Sequence, residues 1–146
     1  MPDVTLLERF PTPPTPGGPI VIEHVAEEFT SLCPKTGHPD FGEVVLRYQP
    51  RPTPAKPRAA PKSSRKQPTS DTPGGCVELK SLKLYYQSFR NEGIFYEAVT
   101  GRIRDDLAHF LDPVWLQVIT RWRGRGGIRS VIRAESGHVP DEWKGR

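Results

Sequence analysis

Residues 78–134 read ELKSLKLYYQSFRNEGIFYEAVTGRIRDDLAHFLDPVWLQVITRWRGRGGIRSVIRA, and this stretch decides the fold of the 146-residue chain. Its first part, residues 78–91, has apolar side chains at helical spacing, which predicts a helix that Gly93 ends. The apolar positions of this pattern are Leu79, Leu82, Tyr86 and Phe89. A second helical pattern covers residues 94–112 and stops because Pro113 cannot continue a helix.

Four other segments have patterns typical of strands, the first two because they are short, rich in Val and Ile and bounded by turn residues. Residues 19–26 (PIVIEHVA) and 40–48 (DFGEVVLRY) flank a turn at 34–39, which predicts a hairpin with a long connection. Residues 114–122 and 128–134 alternate around a glycine-rich turn and predict a second strand pair. The resulting order, ββααββ, predicts an α+β fold in which a four-stranded antiparallel sheet carries two helices on one face. The exposed edges of such a sheet favour closure between subunits.

Prolines divide the chain unevenly. Six of the 17 lie in residues 1–19 and seven in residues 50–73, so we interpret the first range as a proline-rich lead and the second as an insertion in one domain, 20–146. The insertion holds six Lys and Arg against one Asp and accounts for the net charge of +4. Its lack of large apolar residues predicts a disordered loop. RNA contact through this basic segment is the alternative to a solvated loop.

The composition disfavours several classes of protein. No run approaches the ~18–20 apolar residues of a bilayer span, and the opening residues lack the apolar stretch of a secretory signal. We therefore expect a soluble cytoplasmic protein. Only Cys33 and Cys76 are cysteines, so no disulfide framework or metal-ligand spacing is evident, and no metal is expected. Each cysteine is either packed or reactive.

Residues 29–42, FTSLCPKTGHPDFG, place a thiol and a carboxylate seven positions apart across a turn. Partial exposure and the nearby cation Lys35 would lower the pKa of Cys33 and supply a thiolate nucleophile. Asp40 could serve as a positioned acid in a dry pocket. Two alternatives remain open, a cysteine that only packs and a hydrolase in which His38 is the base.

Charged residues near the predicted helix starts indicate a second kind of chemistry. Lys80 and Lys83 lie one turn apart, with Arg90 further along, and cations so placed could hold the phosphate oxygens of a dinucleotide. A solvated helix face is the alternative. Glu78 and Glu97 could complement helix dipoles, or they could accept paired N–H bonds from a purine-like edge.

Together, FTSLCPKTGHPDFG and ELKSLKLYYQSFRNEGIFYE resemble the 7-cyano-7-deazaguanine reductases, the nitrile reductases of queuosine biosynthesis, a tRNA-modification pathway. The resemblance extends from about Val21 through the GRGGI at residues 124–128. It implies the tunnelling fold, which is shared with GTP cyclohydrolase I and assembles into a multi-subunit barrel. It also implies a homo-oligomer, a decamer of two pentamers, with the active site at a subunit boundary.

The same resemblance implies a reaction and residue roles. The reaction is NADPH-dependent reduction of the nitrile of 7-cyano-7-deazaguanine to 7-aminomethyl-7-deazaguanine, with two NADPH per turnover and no metal. Cys33 would be the nucleophile that forms a thioimide, and Asp40 the proton donor. The residues expected to contact substrate are Val77, Glu78, Leu79, Tyr96 and Glu97. Those expected to bind NADPH are Lys80, Ser81, Lys83 and, from its place on the same helix, Arg90.

One residue departs from the family pattern, and other functions remain open. Tyr96 stands where the family usually has histidine, and a phenol of pKa near ~10 is a poor proton relay at neutral pH. One alternative is an amidine-forming enzyme of the same fold, in which Lys80 and Lys83 would not be expected. Another is a non-catalytic basic RNA-binding module. The leading interpretation expects a small-molecule deazapurine substrate and no direct tRNA binding.

Overall fold

The computed structural model describes residues 1–52 and 74–145, so most of the predicted insertion lies outside the described residues. Its strands and α-helices, in chain order, are β1 (Arg9–Phe10), β2 (Ile22–Leu32), β3 (Pro39–Gln49), β4 (Cys76–Val77), α1 (Leu79–Gln87), α2 (Tyr96–Leu111), β5 (Trp115–Arg125) and β6 (Ile128–Gly137). Two single turns of 3-10 helix are Val4–Leu6 and Asp141–Trp143. None of the helices in these two ranges is long and apolar enough to cross a membrane.

The main sheet is antiparallel and has the order β2-β3-β5-β6. Helix α2 packs against β5 and β6 because its buried residues recur once per turn along one face. These residues are Val99, Ile103, Leu107 and Leu111. They meet fully buried strand residues such as Leu46 and Leu116 in one core. The predicted α+β class, with two helices and antiparallel strands, is confirmed.

Strand β2 is longer and lies further along the chain than predicted. It was expected over residues 19–26, yet it continues to Leu32. The consecutive residues Glu27 and Glu28 interrupt the alternation of side chains between the two faces of the strand. A β-bulge at this point restores the alternation, so that Phe29 faces the core. The connection that follows is short. Strand β2 therefore leads directly to Cys33.

Helix α1 ends earlier than predicted, at Gln87 instead of before Gly93. Phe89 is fully buried all the same, in the turn after the helix. Residues 92–94 then pair with Leu32 through two backbone hydrogen bonds of 2.9 and 3.0 Å. This pairing brings the start of α2 beside the end of β2.

The N-terminal lead, set apart in the sequence analysis, packs on the domain over residues 3–10. Strand β1 pairs with β4, and Leu7 is buried in the core. The backbone N–H of Glu8 donates to Ser81 Oγ at 2.9 Å, and Arg9 donates to the carbonyl of Phe110 at 2.8 Å. These contacts make the start of the lead part of the folded core, although the predicted domain division stays a prediction.

Two glycine positions fix local geometry near the sheet. Gly126 and Gly127 join β5 to β6 with φ of 56° and 81°, a two-residue hairpin turn that glycine adopts without strain. The turn holds Arg125 opposite Ile128 at the end of β5.

Gly74 lies close to the end of β3. It has φ 84°, and a Cβ on it would lie 3.1 Å from the carbonyl oxygen of Arg51. The described chain therefore stops after β3 and resumes before β4 at nearly the same point.

Candidate active site

A cavity of about 260 Å³ lies where the β2–β3 turn, the start of α2 and the end of β5 meet. Its lining residues are Cys33, Pro34, Asp40, Ile94, Phe95, Tyr96, Glu97 and Arg125. This volume lies just below the ~300–1,000 Å³ that is typical of small-molecule sites, which limits the cavity to one small heterocycle. It brings together four of the residues that the sequence predicted for the site.

The backbone of a tight turn holds Cys33 in place. The N–H of Cys33 donates to the carbonyl of His38 at 2.9 Å, and its own carbonyl accepts from Gly37 N–H at 2.8 Å. Gly37 has φ 71°, which suits glycine. The His38 side chain is exposed and is not among the residues that line the cavity. The alternative of His38 as a base for Cys33 therefore gains no support.

The thiol of Cys33 is half-buried and more acidic than a free cysteine. A hydrogen bond from the Thr36 hydroxyl, followed by the backbone N–H groups of Thr36 and Lys35, lowers its pKa to about 7. Arg125 also donates a hydrogen bond to it. The predicted cause, the charge of Lys35, is replaced by hydrogen bonding, because Lys35 contributes its backbone N–H. Cys33 is thus substantially thiolate at neutral pH.

Asp40 lies beside Cys33 with only 4% of its surface exposed. Its Oδ1 accepts a hydrogen bond from the Tyr96 hydroxyl at 2.9 Å and forms an ion pair with Arg125 at 2.5 Å. Arg125 also donates to the carbonyl of Pro39 at 3.3 Å. A carboxylate out of water needs such partners. The site therefore holds a thiol, a carboxylate, a phenol and a guanidinium in contact.

The other two predicted residues of this cavity come from the start of α2. Tyr96 is the first residue of the helix, and its ring stacks on Trp122 with 4.1 Å between centroids. Burial, then the hydrogen bond to Asp40, raises the pKa of Tyr96, so its hydroxyl remains a donor. Glu97 is exposed in the first turn, where a carboxylate complements the helix dipole.

The remaining predicted substrate residues, Val77, Glu78 and Leu79, line a second, largely apolar cavity of about 500 Å³. Glu78 caps α1: its two carboxylate oxygens each accept a backbone N–H at 2.8 Å, from Lys80 and Ser81. These hydrogen bonds lower the pKa of Glu78. A carboxylate offers about four lone-pair sites, so two acceptor positions remain for a ligand.

One protomer does not bring the two groups of predicted residues together. The second cavity adjoins Ile22, the first residue of β2, whereas Cys33 follows Leu32, the last. Strand β2 has 11 residues, and at about 3.3 Å per residue it separates the two cavities by about 30 Å. A single small ligand cannot contact both ends.

A groove of about 440 Å³ runs between β2 and α1. Lys83 of α1 and Arg90 of the turn that follows the helix line it, together with His24, Glu27 and Glu28 of β2. Two of the four residues predicted to bind a cofactor therefore share one groove. Because Glu27 and Glu28 place carboxylates on the β2 side of the groove, an anion would bind on the opposite side, next to Lys83 and Arg90.

The other two predicted cofactor residues lie differently. Lys80 is exposed one turn before Lys83 and does not line the groove. Ser81 is buried, and its hydroxyl donates to the carbonyl of Glu78 at 2.7 Å and accepts from the N–H of Glu8 at 2.9 Å. The Ser81 hydroxyl thus ties the N-terminal segment to α1. Its role in cofactor binding stays a prediction.

Sequence reasoning missed three residues that contact this site, namely Thr36, Trp122 and Arg125. Arg125 lies in the GRGGI segment of the resemblance, and Thr36 lies in the CPKTG segment, so the motifs contained both signals. Trp122 lies on the face of β5 that packs against the helices, as its place in the alternation of that strand predicts. Within residues 1–52 and 74–145, no group of three or more His, Cys, Asp or Glu side chains could hold a metal ion.

Comparison with known proteins gives consistent matches. The family described as QueF-like protein matches residues 71–141. The NADPH-dependent 7-cyano-7-deazaguanine reductase of Anaeromyxobacter sp. (strain K) is 46% identical over 134 residues, which is 92% of this chain and 91% of that protein. The protein of the same name from Pelodictyon phaeoclathratiforme (strain DSM 5477 / BU-1) is 46% identical over 127 residues, 87% of this chain and 90% of that one.

A solved structure shows the same fold. The crystal structure of the archaeosine synthase QueF-Like in the apo form has a TM-score of 0.62 and covers 84% of this chain and 99% of that chain. At 20% sequence identity the likeness concerns the fold alone. The two reductase matches concern the sequence itself and span nearly the whole of both proteins. Taken with the cavity that joins Cys33 to Asp40, they show that this chain belongs to the family of NADPH-dependent 7-cyano-7-deazaguanine reductases.

Proposed function

We propose that this protein uses NADPH to reduce the nitrile of 7-cyano-7-deazaguanine to the aminomethyl group of 7-aminomethyl-7-deazaguanine, a step of queuosine biosynthesis. The observation that carries the proposal is the cavity in which Cys33, with a pKa lowered to about 7, adjoins the buried Asp40. The names of the two relatives, at 46% identity, support the substrate and the reductant.

Cys33 supplies the nucleophile of the first step. Its sulfur forms a bond to the nitrile carbon as one C–N π bond breaks, and the nitrogen takes a proton, which gives a thioimide. Asp40 carries that proton, which comes from the thiol or, where the thiol is already ionised, from water. A thioimide nitrogen protonated in this way makes the carbon far more electrophilic than that of a nitrile.

The later steps return Cys33 to its starting state. NADPH, when bound, supplies hydride, and two molecules are needed because nitrile to primary amine is a four-electron reduction. Each reduction also adds a proton to nitrogen, for which Asp40 is the buried donor. Between the reductions the C–S bond breaks and the sulfur leaves as thiolate. The hydrogen bonds from Thr36 and Arg125 stabilise that thiolate and so favour its departure.

The groove between β2 and α1 fits a phosphate-bearing cofactor. Lys83 and Arg90 are both exposed and line the same space, and paired cations hold phosphate oxygens well. Lys80 extends the same positive charge by one turn. We assign NADPH binding to these three side chains of α1 and its C-terminal turn. An amidine-forming enzyme would have no use for them.

The distance between the two cavities supports a site shared by two protomers. The cavity of Cys33 lacks the Glu78 carboxylate that could bind a guanine-like edge, and that carboxylate lines the cavity at the other end of β2, a strand about 30 Å long. We therefore propose a homo-oligomer in which Val77, Glu78 and Leu79 of one copy complete the Cys33 cavity of another. Closure through the outer strands β2 and β6 into a barrel, as two pentamers, is the arrangement we propose.

Free thiols are compatible with a reducing compartment. Cys33 and Cys76 are both unpaired, and Cys33 must stay reduced to act. We propose that the enzyme acts in the cytoplasm, where thiols are kept reduced and NADPH is present, and that it needs no metal.

The proposed function is tested by mixing the purified protein with 7-cyano-7-deazaguanine without NADPH. We expect a new absorbance band from the thioimide, and we expect Cys33→Ala to form none while it keeps the wild-type melting temperature. NADPH added afterwards should discharge the adduct with two equivalents oxidised per nitrile. A wild-type amount of adduct in Cys33→Ala would remove Cys33 as nucleophile. An ammonia-dependent conversion without NADPH oxidation would reject the reductase.

A further inference from the structure

Tyr96 belongs to a closed ring of contacts that fixes its position. The Tyr96 carbonyl accepts a hydrogen bond from Thr100 Oγ1 at 2.7 Å. Thr100 Oγ1 is in turn hydrogen-bonded to Thr120 Oγ1, also at 2.7 Å. Trp122 Nε1 donates to Thr120 Oγ1 at 2.9 Å, and the Trp122 ring stacks on the ring of Tyr96. Both threonines are fully buried and Trp122 is 3% exposed. Each polar atom of the ring has a partner, so the Tyr96 hydroxyl is held at a defined point.

That hydroxyl reaches one particular oxygen of Asp40. The Tyr96 O–H and the guanidinium of Arg125 both contact Oδ1, at 2.9 and 2.5 Å. The Tyr96 hydroxyl and the Arg125 guanidinium thus occupy Oδ1 as the accepting oxygen of the carboxyl group. The other oxygen, Oδ2, is left to carry a proton.

We propose that Tyr96 is a positioning residue: its hydroxyl, with Arg125, orients Asp40 so that Oδ2 passes the proton to the nitrile nitrogen, while Tyr96 keeps its own proton throughout. This inference rests on the proposed function and goes beyond it, since the sequence analysis expected Tyr96 only to contact substrate. In the step, the Oδ2–H bond breaks and an N–H bond forms as Cys33 adds to carbon. Tyr96 neither gains nor loses a bond.

The proposal has a consequence for pH dependence. The ionisable groups that face Asp40 are Cys33 from the β2–β3 turn, Tyr96 and Glu97 from α2, and Arg125 from β5. No histidine among the described residues lines this cavity. No imidazole of the described residues is therefore expected to add a limb to the wild-type pH–rate profile of adduct formation.

Two substitutions separate the hydroxyl from the ring. Tyr96→Phe keeps the stack on Trp122 and removes the donor to Asp40. We expect the rate of adduct formation without NADPH to fall about 10- to 100-fold, the size of effect that misplacement of a reacting group produces. The dissociation constant of the nitrile substrate should change by less than about threefold, since only one neutral contact is lost.

The matched control is Tyr85→Phe, which also removes a tyrosine hydroxyl bonded to an aspartate. Tyr85 donates to Asp106 at 2.6 Å between α1 and α2, away from the cavity. We expect it to lower stability and to leave the adduct rate unchanged. A wild-type adduct rate in Tyr96→Phe, or a loss confined to substrate affinity, would overturn the proposal.

Tyr96→His gives a second readout that a structural role alone would not produce. An imidazole can donate to Asp40, so part of the rate should return. It also titrates near pH ~6.5, so the pH–rate profile should gain a second limb below that of Cys33. A profile identical in shape to the wild type would contradict a direct contact with Asp40.

A substrate-free measurement keeps this inference separate from the proposed function. In a crystal structure of Tyr96→Phe we expect the Asp40 carboxylate to rotate or to occupy more than one rotamer, with Tyr85→Phe as the unchanged reference. An unmoved carboxylate would refute the positioning role even if the enzyme reduces nitriles. The opposite combination is that the wild-type protein forms no adduct but the Asp40 carboxylate still moves in Tyr96→Phe. That result would refute the proposed function and leave the positioning role standing.

Discussion

The acidity of Cys33 originates in a six-residue turn. The Thr36 hydroxyl and two backbone N–H groups point at the sulfur, and Gly37 closes the turn by donating to the Cys33 carbonyl. Successive N–H groups in a turn form a concave site for an anion. Because the main chain supplies most of these donors, the thiolate is stabilised before any ligand arrives. The neighbouring Arg125 adds a further donor.

Thr36 provides a direct test of that arrangement. Thr36→Val removes the hydroxyl but keeps the shape of the side chain, so the pKa of Cys33 should rise from about 7 toward the ~8.5 of a free thiol. The rate of iodoacetamide alkylation measured against pH reports the midpoint. Thr36→Ser retains the hydroxyl and should keep the wild-type midpoint. Equal shifts in both variants would assign the effect to packing instead.

Lys83 should act on the cofactor more than on the nitrile. Lys83→Ala removes one charge-assisted contact, so we expect the KM for NADPH to rise about tenfold, corresponding to about 1.4 kcal/mol. The KM for the nitrile should stay within about twofold, since Lys83 lies outside the Cys33 cavity. Lys144→Ala is the matched control, because Lys144 is a lysine that, among the described residues, forms an ion pair only with Asp141. Equal rises in both KM values would argue against a cofactor groove at Lys83.

The candidate site was predictable in part. Cys33 begins the β2–β3 turn and Asp40 is the second residue of β3, so local spacing sufficed to pair them. Arg125 contacts the same carboxylate from the end of β5, and only the pairing of β3 with β5 brings it there. Glu78, which was predicted to contact the substrate, lies within one protomer at the opposite end of β2 from Cys33. Long-range strand pairing leaves no local sequence signal.

Element boundaries were less predictable than element types. The helical repeat that ends at Phe89 predicted α1, but it placed the end too late because Phe89 stays buried in the turn that follows the helix. The first strand was placed too early because alternation stops at Glu27 and Glu28, where the bulge resets it. The second strand, expected over residues 40–48, runs from Pro39 to Gln49. Burial in this strand does not alternate, since residues 44–48 are all buried, so the agreement rests on the apolar run and on the turn residues that precede it.

Two glycine-to-alanine substitutions, one in the β5–β6 hairpin and one in α2, should change the free energy of unfolding in opposite directions. Gly127 has φ 81°, so Gly127→Ala puts a Cβ into the left-handed region and should cost about 1–2 kcal/mol of unfolding free energy. Gly101→Ala, within α2 and with open space around it, should instead stabilise by about 0.5–1 kcal/mol. Urea unfolding at one protein concentration measures both. A destabilising Gly101→Ala would show that α2 needs a close approach at that residue.

At the scale of the whole molecule, the protomer has two incomplete sites and two open edges. Strands β2 and β6 are the outer strands of the sheet, and each has ten residues or more. Long unpaired edges are usually protected or closed by assembly. In the arrangement we propose, with one site shared by two copies, the enzyme's activity depends on contacts between copies. Dilution should reduce turnover together with oligomer size.

Complementation between inactive variants tests this dependence. Cys33→Ala and Glu78→Gln, each inactive alone, should regain activity when the two chains are co-expressed with different tags and purified as mixed oligomers. About a quarter of the shared sites would then combine an intact Cys33 with an intact Glu78 from a different copy.

The matched control pairs Cys33→Ala with Asp40→Asn. Both substitutions fall in the same cavity of one copy, so no arrangement of these chains rebuilds a site, and we expect no recovery. Equal recovery in both pairs would contradict a shared site. Activity in the Glu78→Gln protein alone would remove Glu78 from it.

The close approach of Arg51 to Gly74 has a practical outcome for anyone engineering this enzyme. Because Arg51 and Gly74 lie next to each other, the number of residues between them does not determine where β3 ends or where β4 begins. An affinity peptide or a fluorescent reporter inserted between residues 52 and 74 would attach at one place on the surface. The Cys33 cavity does not include this region, whereas Cys76 and Val77, which follow it closely, line the second cavity.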